Sequence, residues 1–195
     1  SFVKLRQAPI GFTERNILTM RVTLPEAKYP FPIGAEDRRN PAGIDFYERL
    51  LERVGSLPGV KAAAVSTVLP LGSMGNWGKF LSVEGRPAPA SIDQVPSANF
   101  ALISHDFFRT FGVAIRRGRS FTAQDKENSQ PVAIINETLA RRFFPNEDPV
   151  GKTIWMGPPE HLLPPEAQRQ ENRFVRREIV GVVANSKLDT IGEAP

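Results

Sequence analysis

Residues 131–156, PVAIINETLARRFFPNEDPVGKTIWM, constrain the fold more than any other stretch. Pro131 introduces Val132-Ala133-Ile134-Ile135, an apolar run with the length and composition of a buried strand. Asn136 is placed to cap a helix, and Glu137 falls in its first turn, where the helix dipole favours an anion. Leu139, Ala140, Phe143 and Phe144 lie at i, i+1, i+4 and i+5, which is one face of that helix. Pro145 stops it. The loop NEDPVG leads to Lys152–Met156, and Glu178–Val183 supplies another buried strand. Upstream, Gly118 opens a turn and Asp125 closes a polar loop. The pattern predicts a compact αβ unit without a catalytic constellation.

Before this unit the chain reads as strand, helix, strand. Ile17, Leu18, Met20, Val22 and Leu24 predict a strand over 17–24. Asn40-Pro41 is a helix start with proline at the first helical position. Tyr47, Leu50, Leu51 and Val54 form its apolar stripe, opposite Glu48, Arg49, Glu52 and Arg53. Pro58-Gly59 ends it, and Val60 to Val68 reads as a second strand. Strand, helix and strand within so short a span form a crossover unit. Residues 69–78 carry Pro70, Gly72, Gly75 and Gly78 and read as a hinge. Strands are expected over 79–84 and 95–103, then a helix over His105–Phe111 capped by Ser104. Residues 157–173 hold four prolines without periodicity, the mark of a protruding connection between two strands.

Composition narrows the function classes. With 195 residues the chain can bury roughly 70% of its unfolded surface. It has no cysteine, which excludes disulfides and thiolate metal sites. The net charge of +4 gathers in arginines at 116, 117 and 119, 141 and 142, and 169 to 177. Nucleic-acid binding would want these interleaved with exposed aromatics, but the aromatics keep helical core spacing. A solvated face with some attraction to anionic lipid head groups is the better reading. No apolar run reaches the ~18 residues of a membrane span, and the opening SFVKLRQAP is not a signal peptide.

The remaining polar residues form few chemical constellations. His105 beside Asp106 could suggest an acid–base pair, yet adjacent helical positions point to different sides. His161 lies in the proline-rich loop without a second ligand nearby, which argues against a histidine metal site. Carboxylates at 125, 127, 137, 147 and 148 fall in loops and caps. Ser66, Ser73 and Ser82 lack a nucleophile elbow. GSMGNWG, with Lys79 following, lacks the helix that a phosphate loop must open, and no GxxxxGK[ST] occurs. Arg119 with Asp125 could clamp a carboxylate, although an internal salt bridge bracing the turn is preferred. No catalytic, cofactor-binding or metal-ligating residue is therefore assigned.

The blocks GRSFTAQD, PVAIINETLARRFFPNEDPVGKTI and REIVGVVANSK, with SHDFFRTFGV and LPGV upstream, resemble the MacB-like periplasmic core domain of ABC transporter permeases of the MacB/FtsX type. The resemblance spans roughly residues 11 to 190. It implies an α+β fold of two lobes: a juxtamembrane lead-in over 1–15, half of a ferredoxin-like porter lobe over 16–68, the hinge at 69–78, and a mixed αβ second lobe over 79–190 with the 157–173 protrusion. It further implies a non-enzymatic extracytoplasmic domain of a cell-membrane protein, without cofactors. That domain would relay ATP-driven motion of flanking membrane helices to cargo or a periplasmic adaptor. An ABC ATPase would stand across the membrane, and the full transporter would be a dimer. A ligand-sensing domain or a small enzyme with a cleft between the lobes is the alternative, and it requires clustered titratable groups in a concave apolar pocket. In a ferredoxin-like lobe, strands 17–24 and 60–68 would not pair directly; the slot between them would be empty or borrowed, with 79–84 as one candidate.

Overall fold

The computed structural model describes residues 11–13, 15–30, 40–68, 78–87, 89–126, 128–163 and 175–186. Among the described residues the framework is a mixed sheet accompanied by three α-helices. Helix α1 spans Pro41–Gly55 and strand β1 Gly78–Val83. Strand β2 (Ser97–Asn99), helix α2 (Phe107–Phe111) and strand β3 (Ile115–Gly118) follow. Strand β4 (Val132–Asn136), helix α3 (Glu137–Phe143), strand β5 (Thr153–Met156) and strand β6 (Val175–Val183) complete it.

β6 is the hub. β5 pairs antiparallel with its first half, β3 antiparallel with its second half, and β4 parallel along 178–183. β1 extends the sheet from β5, and β2 closes that side. Parallel pairing of β4 with β6 requires a crossover, which α3 begins. Asn136 accepts the Leu139 amide at 2.8 Å, so the asparagine starts the helix as the sequence indicates. Behind α3 lies the main core of Leu81, Ile135, Phe144, Ile154, Ile179 and Val182. Phe144 is buried, but Phe143 is only half-buried, because the helix ends at Phe143 and turns the next ring inward. The two rings predicted to share one apolar helix face are therefore buried unequally.

Two glycines let β3 and β6 meet. A Cβ on Gly118 would stand 2.2 Å from the Val180 carbonyl oxygen, and one on Gly181 would stand 2.2 Å from that of Arg119. Gly118 also holds φ at +65°, so both space and conformation demand glycine. β3 itself, IRRG, was not anticipated; two exposed arginines hide its strand character.

The first region departs further from expectation. α1 starts as foreseen, with Asn40 accepting the Gly43 amide at 2.8 Å and Pro41 at the first position. Residues 17–24 and 60–64, however, join no ladder among the described residues. They do not pair with each other, as expected, and 79–84 does not fill the slot, because β1 is taken by β2 and β5. The segment that meets 65–67 is 102–104, through a single antiparallel bridge between Ser66 and Ile103. The strand expected over 95–103 shrinks to Ser97–Asn99. The helix expected from His105 begins at Phe107 and takes no side-chain cap, since the Ser104 hydroxyl is turned to the Val65 amide. The hinge residues 69–77 and most of the 157–173 connection lie outside the described residues.

Candidate functional site

The residues weighed for catalysis make local contacts. His105 Nε2 stands 3.7 Å from Asp106 Oδ2, so the neighbours do approach. Asp106 precedes α2 and lies outside its helical geometry, which is why the helical-face argument fails there. Asp106 also meets Arg109 at 3.4 Å, and its carbonyl accepts the Thr110 amide and hydroxyl at 2.8 Å, which fastens the helix start. His161 Nε2 lies 3.0 Å from the Pro89 carbonyl oxygen, which makes that nitrogen a donor. Among the described residues no three histidines or carboxylates group around a metal position.

Arg119 and Asp125 form a two-point pair, Nη1 to Oδ2 at 2.7 Å and Nη2 to Oδ1 at 2.9 Å. Asp125 also accepts the Thr122 amide at 2.7 Å and hydroxyl at 3.1 Å. Its side chain is 11% exposed. Those donors, the Arg119 guanidinium first, hold its carboxyl down to about 2 and raise Arg119 in return. Both Asp125 oxygens are thus engaged within the turn.

Two open grooves cross the surface. The larger, about 490 Å³, is lined by Arg116, Arg117, Glu137, Arg141, Glu147 and Asp148 among others. Its ion pairs are loose, with Arg116–Glu137 at 3.8 Å and Arg117–Asp148 at 4.0 Å. Glu147 is held below the ordinary carboxylate range by hydrogen bonding to Lys152. The smaller, about 310 Å³, is lined by Gln130, Pro131, Thr153, Arg176 and Glu178. It lies on the sheet face where Ser82, Trp155 and Arg176 stand in one cross-strand row, the guanidinium 5.2 Å over the indole. The larger hollow is lined mainly by charged and polar side chains, whereas the smaller one mixes them with Pro131.

The other conspicuous surface is apolar and belongs to the first region. Leu18 is 87% exposed and Met20 67%, with Leu57 and Ile44 also open. The α1 stripe of Tyr47, Leu50, Leu51 and Val54 is half-buried, and Tyr47 donates to the Val22 carbonyl at 3.3 Å. Residues that sequence reasoning missed act in support. Asn185 accepts the Thr138 amide and hydroxyl at 3.0 Å, fastening the end of β6 to the start of α3. An asparagine directly after a strand was the available signal.

Comparison with known proteins gives this surface a context. The family model described as MacB-like periplasmic core domain matches residues 7–194. The macrolide export ATP-binding/permease protein MacB of Mannheimia succiniciproducens is 33% identical over 58 residues, 30% of this chain and 9% of that protein. The protein of the same name from Aggregatibacter actinomycetemcomitans is 34% identical over 58 residues, with the same two shares. Among solved structures, the periplasmic region of MacB from Actinobacillus actinomycetemcomitans superposes with a TM-score of 0.47 at 20% identity, covering 71% of this chain and 50% of that one. The extracellular domain of the noncanonic ABC-type transporter YknZ from Gram-positive bacteria gives 0.46 at 17%, covering 73% and 59%. The aligned segment thus spans about a tenth of the curated relatives' length. By the match over residues 7–194, the chain belongs to the MacB-like periplasmic core domain family.

Proposed function

We propose that this chain is the non-catalytic extracytoplasmic part of a MacB-like ABC transporter permease, anchored in the cell membrane through helices flanking it in the whole protein. It relays motion driven by an ATPase across the membrane to cargo or to a periplasmic adaptor, and the whole transporter works as a dimer. The observation that carries this reading is the family match over residues 7–194. Two physical features support it. The sheet around β6 is a stiff body with a packed core. None of the described residues of the 16–68 region has a fully buried hydrophobic side chain, which suits two lobes that move about the 69–78 segment.

The 195 residues hold no cysteine, so a thiol introduced among them is unique within this chain, and any cysteine elsewhere in the parent protein is first replaced by serine. Leu57→Cys is introduced in the membrane-embedded parent protein and labelled in cells with a maleimide that cannot cross the inner membrane. Labelling in intact cells, at a rate that shifts when the ATPase is trapped with nucleotide, is the expected result. Labelling only after the inner membrane is broken would refute the extracytoplasmic placement. A rate indifferent to nucleotide would refute the relay.

A further inference from the structure

The bridge between Ser66 and Ile103 has an unusual construction. In an antiparallel ladder the pairs on either side of such a rung exchange two backbone hydrogen bonds each. Here each flanking pair makes only one. Thr67 donates its amide to the Leu102 carbonyl at 3.0 Å, and Ser104 donates to that of Val65 at 2.9 Å. The reciprocal amides are diverted to side chains: Leu102 donates to Thr67 Oγ1 at 3.0 Å and Val65 to Ser104 Oγ at 3.0 Å. The segments splay apart after one rung, and a hydroxyl on each side spans the gap. Four amides are satisfied across the seam, and the ladder does not propagate beyond them. Thr67 and Leu102 are exposed, so water can take over these bonds when they break.

Beside the seam lies an apolar seat. Phe12, Ile17 and Ala64 pack against the cluster of Phe107, Phe111, Val113 and Val183. The Phe12 ring meets Phe111 edge-on at 6.0 Å, and Thr13 donates its amide to the Phe111 carbonyl at 2.7 Å. Ala64, which residues 60–68 contribute to this seat, makes a non-directional contact that tolerates rotation, whereas the hydrogen bonds of the seam, and that from Arg109 Nη2 to the Lys61 carbonyl at 3.1 Å, do not.

We propose that the Thr67–Ser104 hydroxyl pair forms a clasp that opens as a unit while the phenylalanine seat holds, so that residues 60–68 rock against the sheet body. Its use in transport rests on the permease reading above, but the opening itself is a property of this chain. Thr67 and Ser104 are positioning residues for it, and both act through the amides they receive.

The experiment is residue-resolved amide hydrogen exchange on the 195-residue chain. In the parent sequence the Val65, Thr67, Leu102 and Ser104 amides should exchange at one common rate, well above that of Ile135 and Ile179. Thr67→Val keeps the shape and removes one acceptor. It should speed all four amides by about fivefold to tenfold, the equivalent of one net hydrogen bond, and leave Ile135 and Ile179 unchanged. Acceleration of Leu102 alone would show four independent bonds and overturn the clasp. Acceleration of Ile135 and Ile179 by the same factor would overturn it too, because the seam would then open only with the whole fold. As a second readout, Ser66→Cys with Ile103→Cys occupies a non-hydrogen-bonded pair whose Cα atoms lie within disulfide reach. Oxidation should close it and slow the four amides, and failure to cross-link would refute the geometry. If the clasp opens as described but locking it leaves nucleotide-dependent labelling of the parent transporter unchanged, the transport role fails and the clasp stands.

Discussion

The region around β6 and the region before residue 68 contain similar apolar patterns and meet different fates. β6 finds partners on either side, β4 among them, and the two strands bury Ile135, Ile179 and Val182 and receive Phe144 from α3. Residues 17–24 alternate as cleanly in sequence, yet Leu18 and Met20 face outward. α1 shows the same contrast: its buried residue is Gly43, and its apolar stripe is only half covered. The difference teaches that periodicity sets which residues can share a face, whereas burial needs a second surface to cover it.

The largest test of that contrast is a pair of truncations. Phe144→Ala should cost roughly 3–5 kcal/mol through lost transfer energy plus a cavity, whereas Leu18→Ala should stay within about 0.5 kcal/mol. Urea denaturation measures both. Equal costs would mean that the first region is as well packed as the second. Phe143→Ala should fall between them, near 1–2 kcal/mol, in keeping with its partial burial.

Next comes the glycine crossing. Gly181→Ala pushes a methyl group onto the Arg119 carbonyl, and a loss of about 2–3 kcal/mol is expected. Gly59→Ala, which meets nothing within 4 Å, should cost only the strain of its positive φ, about 1 kcal/mol. A smaller penalty at Gly181 than at Gly59 would place the close approach elsewhere. The helix caps are smaller and test both regions alike: Asn136→Ala and Asn40→Ala should each cost about 1 kcal/mol. Thermal melts of the two variants check this directly.

The subtlest effect is in acid. The Asp125 carboxyl is lower in the folded chain, about 2 against an ordinary 3.8, so its contribution is complete above pH 4 and is lost as pH falls toward 2. Asp125→Asn should flatten the fall in the denaturation midpoint over that window while leaving its slope above pH 5 unchanged. An identical acid profile in the variant would mean that the turn brace contributes nothing to folding.

Much of the sheet body is legible in the sequence because its signals are local. Asn136 and Asn40-Pro41 mark helix starts, Val132–Ile135 and Ile179–Val183 mark strands, and the spacing of Arg119 and Asp125 foreshadows their pair. What escapes reading depends on contacts between distant residues. β3 is a strand only because Gly118 and Gly181 let it lie on β6. Ser104 is spent on Val65 instead of capping α2. The strands expected over 17–24 and 60–68 carry the right side chains, but a strand is a property of a pair, and among the described residues 102–104 answers 65–67 while nothing answers 17–24.

The most direct test of the contrast between a well-cored sheet body and a lightly held first region is hydrogen exchange measured against increasing urea. Amides of β4 and β6 should exchange through global unfolding, with a steep urea dependence. The α1 amides from Leu50 to Val54 should exchange orders of magnitude faster, through a smaller opening with a shallow dependence. If the α1 and β6 amides instead share one rate and one slope, the chain unfolds as a single cooperative unit and the account is wrong.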